Sequence, residues 1–493
     1  MRKIAIMALL LSLITFEGCE KKLNIVPTFF SPEELALSST SGMDAGLSTA
    51  YGYIYGELGL TFTLWSELMA DHLYFQGTST NYANFYNRDL NSVIAEQVSP
   101  IDPRIVNDIV LRQMYDGVNS ASLILRAVDR GYANKDVSFA ANKTRIQGEC
   151  HFIRAVGYFE MARFWARAWN ATADNSHPGI VINTVPVDDR VSQIKPRASL
   201  AEVYAFIIDD LTQAINLLPD AYDPTIHPAS YNGRAYKDAA IAYLVKVYFQ
   251  QQNYAKAKPL IDQLIGSSAG TLAKHPLNSS VTAPFTTRGP SNQDPENIVQ
   301  NTCSLNVNGL SPFWYSASAA IYNSTLAASS LQGYASNAFI QNSKFRGTDQ
   351  RRINWFKTYP TGQLLPQKYS LALQINIPLV RSAEMVLDRA EIYALANDLP
   401  NAILDCNVTR ARAQIPLLPP TITQSSLIDS IKTERIRELC FEGDRLWNLK
   451  RQRLPIPPGD RPGSAVLPWD GVDLVLKYAA LEMSLNPSLV NNY

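Results

Sequence analysis

Two stretches of this chain follow one plan, and that plan narrows the possible folds more than any other feature. AYKDAAIAYLVKVYFQQQNYAKAKPLIDQLI (235–265) and SAEMVLDRAEIYALANDLPNAILDCNVTRARA (382–413) each show helical apolar periodicity, a short polar turn and a second helical run. In the first, small Ala239, Ala242 and Ala257 alternate with large Tyr243, Tyr248 and Tyr254. Small residues let paired helices approach closely, and stacked pairs make a curved array of the tetratricopeptide kind. The first pair is expected to turn at Gln252–Asn253. The second should be capped by Asp398, with Pro400 in the first turn, where it is tolerated. Pro259 should kink its helix or mark where that helix begins late.

Helical periodicity recurs at about 43–56, 103–130 and 138–169. Ser199 and Glu202 form a capping box, and the stripe Leu200, Val203, Ile207, Leu211, Ala214 and Leu218 follows until Pro219 ends it. Near the end, Ile428, Ile431, Arg435, Leu439, Glu442, Leu446 and Leu449 recur at steps of three or four, which predicts one helix over 427–453. Its face is apolar at both ends and charged in the middle. Unpaired burial of Arg435 and Glu442 would be costly, so they should pair with each other or with the preceding helices. With Glu438 they read as a structural ion network.

Between the helix pairs, over about 270–375, periodicity is lost and Ser, Asn, Thr, Pro and Gly dominate. Phe285, Trp314, Tyr315, Tyr322, Tyr334, Trp355 and Phe356 are too many rings for a solvated linker. The stretch 72–91 has the same mixture of rings and amides. Aromatic faces stack on the C–H faces of sugars, while Asn, Gln, Thr and Asp bond the hydroxyls. We therefore take Tyr74, Asn81, Tyr82, Phe85, Tyr86, Trp314, Tyr315 and Trp355 as candidate ligand contacts. The loops at 72–91 and 305–360 should converge on one shallow site, suited to a sugar and poorly suited to a charged metabolite. Each ring taken singly is more often a core residue than a ligand contact, since most large aromatics are mostly buried.

Arg2 and Lys3 precede an apolar run, Ile4–Phe16, followed by Gly18 and Cys19. This is a secretory signal, and the run is far below the ~20 residues of a spanning helix. Cys after Gly is a lipobox arrangement, so residues 1–18 are expected to be removed and Cys19 acylated, with 19–32 an extended tether. Residues 33–493 then form a single domain.

Lys+Arg 44 balance Asp+Glu 44, and no basic run exists to neutralise phosphates, so nucleic acid is not an expected partner. Cys150, Cys303, Cys406 and Cys440 show no zinc or redox spacing, and no disulfide is expected. The five histidines show no ligand spacing; His151 reads as a packed helix residue and His72 as a turn residue. Neighbouring Asp188–Asp189 and Asp209–Asp210 point apart and make poor hydrolase pairs. No phosphate-loop, metalloprotease or serine-hydrolase motif occurs, so no enzyme, metal or cofactor is expected.

The segment ERIRELCFEGDRLWNLKRQ (434–452) resembles the C-terminal signature of the SusD/RagB family, with Glu434, Arg435, Glu438, Leu439, Phe441, Glu442, Gly443, Arg445, Leu449 and Arg451 on its pattern and Asn448 where Asp is commoner. Arg381, Glu384, Glu391, Ala402, Asn407, Arg410, Arg412 and Ala413 are similar to the preceding family block. GECHFIRAVGYFEMARFW (148–165) and the closing NPSLVNNY also resemble family segments, and Asp71 resembles a position at the edge of its ligand region. The resemblance implies an all-α, tetratricopeptide-like fold with long inserted loops. It implies a lipoprotein of the outer membrane, held there only by its lipid, facing the exterior. Such a protein binds an oligosaccharide and delivers it to a partner TonB-dependent, SusC-like transporter. Relatives of the RagB branch handle peptides, and some relatives hold calcium, for which no motif is present here. A surface glycan hydrolase and a protein-only scaffold are the rivals from other classes.

Overall fold

The computed structural model describes residues 32–76, 80–90, 106–186, 194–286, 294–301, 333–358, 362–369 and 376–492. After a one-turn helix at Glu33–Ala36 come α1 (Thr40–Gly56), α2 (Thr63–Met69), β1 (Leu73–Phe75), α3 (Thr80–Asn87), α4 (Val106–Asp129), α5 (Phe139–Trp165), α6 (Leu200–Leu217), α7 (Lys237–Gln250) and α8 (Tyr254–Ile265). The irregular region holds β2 (Asn297–Asn301), β3 (Gly333–Ala335), α9 (Asn337–Ser343), α10 (Gln350–Asn354), β4 (Phe356–Thr358), β5 (Leu364–Pro366) and β6 (Ile377–Arg381). It is followed by α11 (Ser382–Leu395), α12 (Leu399–Arg412), α13 (Gln424–Glu438), α14 (Asp444–Arg451) and α15 (Ala480–Leu485).

The long helices succeed one another in space as in sequence. α1 packs on α4, α4 on α5, α5 on α6, α6 on α7 and α7 on α8. α8 then packs on α11, so the two helix pairs stack directly although 266–381 intervenes. α12 and α13 close the row. Each helix is buried chiefly by its neighbours, which is how a repeat array distributes its core. The expected all-α, tetratricopeptide-like architecture is what the chain adopts.

Both pairs turn identically. Gln252 and Asn397 take left-handed φ of 58° and 62°. In the first turn the amides of Gln252 and Asn253 donate to Phe249 and Tyr248 carbonyls, and in the second those of Asn397 and Asp398 donate to Ala394 and Tyr393. This is the Schellman closure of a helix end. Asn253 and Asp398 then cap the following helices. α8 begins at Tyr254, ahead of Pro259, so the late start is excluded and the proline sits inside the helix. The capping box at Ser199–Glu202 is present, and all six residues of the α6 stripe are buried.

The single helix expected over 427–453 is in fact two. α13 stops at Glu438, and Phe441 and Gly443 take φ of 60° and 79° before α14 starts. The Gly443 amide donates to Glu67 Oε1 at 2.8 Å, and a Cβ at Gly443 would stand 3.2 Å from Thr63 Cα. The joint therefore docks against α2, and tertiary contact overrides the helical period. Gly443→Ala should lower stability by about 1–2 kcal/mol through the left-handed backbone alone, read as a reduced urea midpoint with an unchanged m-value.

This break decides how the charges pair. Arg435 binds Asp444 at 2.7 Å and also Asp388, while Glu442 binds Arg381 and Lys368, each at 2.6 Å. Arg435 and Glu442 thus do not pair with each other. Arg435 reaches Asp388 on the preceding helix α11, the second of the two expected pairings. Glu442 takes Arg381, just before that helix, and Lys368 from the irregular region. Glu438, fully buried, accepts from Arg351 and Arg381 at 3.1 Å and from Arg412. Burial pushes its carboxyl up, but Arg412, Arg381 and Arg351 outweigh that and hold it well below the usual range. Cys150, Cys406 and Cys440 are buried and free; Cys303 lies outside the described residues.

Candidate ligand-binding site

The site begins where α2 ends. Asp71 is wholly buried, and Arg445 on α14 grips it with Nε and Nη2, each at 2.8 Å. Burial raises the Asp71 carboxyl, but His72, where acid protonates it, and Arg445 more than reverse this and hold the carboxyl well below the usual range. His72 is pushed down to about 4 by burial, so its imidazole is neutral. Gly459, at φ 65°, lets the 457–461 turn lie against this point, since a Cβ there would meet Asp71 O at 2.8 Å.

Ser336 ties the two distant loops together: its amide donates to His72 O at 2.9 Å and its hydroxyl to Asp71 O at 2.6 Å. β1 and β3 then pair antiparallel, with Leu73 opposite Ala335, Tyr74 opposite Tyr334 and Phe75 opposite Gly333. Strand side chains alternate between faces. In both strands the outer residues are buried and the middle one is half-buried, so each contributes one tyrosine to the open face. Those rings stack, with centroids 4.7 Å apart and planes 28° from parallel. The Gln363 side chain and the Tyr74 hydroxyl bond the Tyr334 phenol, which burial pushes up. Tyr82 meets Phe75 edge-on at 6.2 Å, and Tyr86 meets Tyr74 at 5.9 Å. The result is a half-exposed wall of rings with phenol and amide groups at its edge. No group of three or more metal-ligating side chains occurs among the described residues.

Residues 64–249 match a family model described as starch-binding associating with outer membrane, and residues 295–484 match the model of the SusD family. The chain belongs to the SusD/RagB family. Solved SusD-type structures share its fold. A SusD superfamily protein from Bacteroides thetaiotaomicron is 17% identical, with TM-score 0.73 over 92% of this chain and 98% of that one. A SusD-like carbohydrate binding protein from Bacteroides vulgatus is 19% identical, with TM-score 0.71 over 92% and 97%. A SusD superfamily protein from Bacteroides fragilis is 17% identical, with TM-score 0.71 over 92% and 99%. No curated protein matches the chain.

Within this SusD-type fold the candidate contacts separate. Tyr74 and Tyr82 stand half-buried on the wall. Phe85 has no exposed surface and stacks on Trp65 at 4.4 Å. Tyr86 is only 5% exposed. Trp355 is fully enclosed: its Nε1 donates to Val281 O at 3.0 Å, and Lys368 Nζ sits 3.8 Å from its ring centroid. For Phe85, Tyr86 and Trp355 the expected ligand contact gives way to packing, because an enclosed ring offers no face. Only the backbone of Asn81 is described, on α3. Trp314, Tyr315 and Cys19 lie outside the described residues. Tyr334 and Gln363 were not among the candidates. Tyr334 stood in the run of aromatics, but nothing local distinguishes it from its neighbours.

His151 lies on α5 with Nδ1 2.7 Å from Asp210, which Arg154 also binds at 2.8 Å. That carboxylate is committed to an inter-helix contact. No described helix is long and apolar enough to cross a membrane.

Proposed function

We propose that this SusD/RagB family member captures an oligosaccharide on the Tyr74–Tyr334 wall, without turnover, and hands it to a TonB-dependent transporter. The observation that carries the proposal is the wall itself. Two loops far apart in sequence are tied together at their backbones so that one tyrosine from each faces outward. Such an investment in placing two half-exposed rings suits a flat, hydroxyl-bearing ligand. The families and relatives matched are described in terms of starch or carbohydrate binding, which supports the same ligand class. Peptide capture of the RagB type is the second possibility, since stacked tyrosines also accept peptide side chains.

Calorimetry against oligosaccharide and peptide libraries tests the ligand class. Tyr334→Ala should weaken the saccharide that binds by about tenfold, given the ~1–3 kcal/mol typical of stacking on a ring, with little change in melting temperature. Lost stability with intact affinity would return the ring to the core. Appearance of new reducing ends on incubation with glycans would instead make the protein a hydrolase.

The anchoring scheme is part of the same proposal: removal of residues 1–18, acylation of Cys19, a tether to residue 32 and one domain beyond it, displayed on the cell exterior. Cys19→Ala should leave a soluble or unprocessed protein; membrane partitioning that persists in this variant would refute anchoring there. Gentle detergent extraction should recover the chain with a large β-barrel partner.

A further inference from the structure

Eleven arginines are buried among the described residues, and nine of them have a carboxylate within ion-pair distance. The two exceptions, Arg88 and Arg461, stand side by side behind the tyrosine wall. Arg88, at the end of α3, donates to Met69 O at 2.9 Å and Pro457 O at 2.5 Å. Its Nη1 has no hydrogen-bond partner. Arg461 donates to Ala70 O at 2.7 Å and Pro458 O at 2.5 Å, and to the carbonyls of Leu68 and Tyr86. Its guanidinium lies 4.3 Å from the centroid of the Tyr86 ring, which in turn meets Tyr74.

Binding backbone carbonyls explains the donors but not the charge. Burial and mutual repulsion push Arg461 down to about 9, and burial pushes Arg88 down to about 10. The acids nearby do not resolve this. Asp71 is held by both arms of Arg445, and half-buried Asp460 gives Oδ2 to the Asn337 amide at 2.7 Å. Elsewhere the chain supplies a carboxylate to every buried guanidinium, at considerable desolvation cost. Here two have no carboxylate within ion-pair distance among the described residues, and they stand next to an open aromatic face.

We infer that the tyrosine wall selects oligosaccharides bearing an acidic group, a carboxylate or a sulfate, and that the field of Arg88 and Arg461 provides the selection. The saccharide part rests on the proposed function above; the anion preference rests on the arginines alone. It narrows the expectation, drawn from the loops' rings and amides, that the site suits a sugar and is poorly suited to a charged metabolite: the ligand stays a saccharide, but one that carries an acidic group. A positive field behind a low-dielectric ring wall attracts anions without direct contact.

The test compares oligogalacturonate with its methyl ester, and a sulfated galactan oligomer with its desulfated form, on the full chain by calorimetry. The acidic member of at least one pair should bind about tenfold tighter or more, with the gap shrinking as salt rises. Which pair shows the gap tells carboxylate from sulfate. Arg88→Gln should shrink the acid-to-neutral ratio, and Asp460→Asn, which keeps the acceptor for Asn337, should widen it. A purely structural role for either residue would not move that ratio in opposite directions. A second readout needs no saccharide: sodium sulfate, against sodium chloride at equal ionic strength, should raise the melting temperature of the natural chain more than that of Arg88→Gln. If no saccharide binds but this sulfate difference appears, the anion site stands and the saccharide proposal falls. Equal affinity for acid and neutral partners, or a sulfate effect independent of Arg88, overturns the inference. Should Arg88→Gln fail to fold, an Asp460→Asn ratio equal to that of the natural chain overturns it as well.

Discussion

Glu438→Ala should cost this fold about 3–5 kcal/mol, because it removes one member of a buried charge network and leaves the others in place. Arg351, Arg381 and Arg412 converge on this carboxylate from three separate segments. Arg351 retains Asp349 and Glu434, and Arg381 retains Glu296 and Glu442, so the loss is spread rather than concentrated on one orphaned group. Urea denaturation should show it as a lower midpoint, while saccharide affinity of the folded fraction stays unchanged. Normal stability with lost binding would move Glu438 from the framework into the site. The pH dependence has a definite sign. The folded carboxyl lies below its unfolded value near 4.5, so its stabilisation is complete above that value and is lost as pH falls below it.

Lys450→Met should act in the opposite direction and stabilise the protein. Lys450 is 3% exposed, its Nζ donates to Leu474 O at 3.2 Å, and no carboxylate of the described residues lies within ion-pair distance. Burial, then the nearby Arg163, pushes the amine down to about 7. The unfolded chain binds this proton up to about pH 10.4, whereas the folded chain gives it up near 7. Between those values the unfolded state holds more protons, so this group makes stability rise with pH, by at most about 1.4 kcal/mol per unit. Methionine keeps the volume and removes the charge. It forfeits a hydrogen bond of about 1 kcal/mol, yet below pH 7 the relief of burying an ammonium exceeds that. Melting temperatures from pH 5 to 9 should show the variant ahead at low pH, with the gap closing as pH rises. A variant that is less stable at every pH would mean that the amine is better solvated than its surroundings indicate.

The helical framework was legible in the sequence because a helix writes its buried face at a local period. The alternation of alanine and tyrosine in 235–265, the caps at Ser199 and Asp398 and the turn at Gln252–Asn253 involve residues only a few positions apart, and all are where that period puts them. The same reasoning overran at 439–443. The period of three and four continues through Leu439, Glu442 and Leu446, but the backbone breaks because Gly443 docks on Glu67, a partner that no local pattern reveals. The charged residues of that segment read as an ion network, and Arg435 does reach Asp388 on a preceding helix, but the choice of Arg381 and Lys368 by Glu442 was not legible.

The site divides along the same line. Composition marked 72–91 and 305–360 as rich in rings and amides, and a strand from the first, β1, pairs with a strand from the second, β3. Which rings face outward was not legible, since Phe85, Tyr86 and Trp355 share the local chemistry of Tyr74 and Tyr82. By itself, then, the sequence determined a helical-repeat chain with the SusD/RagB signature and an internal ion network. Only the tertiary structure decided that Tyr74 meets Tyr334, that Arg435 and Glu442 choose separate partners, and that Arg88 and Arg461 are buried without an ion-pair partner among the described residues. Local periods encode which face of an element is buried; which distant side chain covers that face is set by packing in three dimensions.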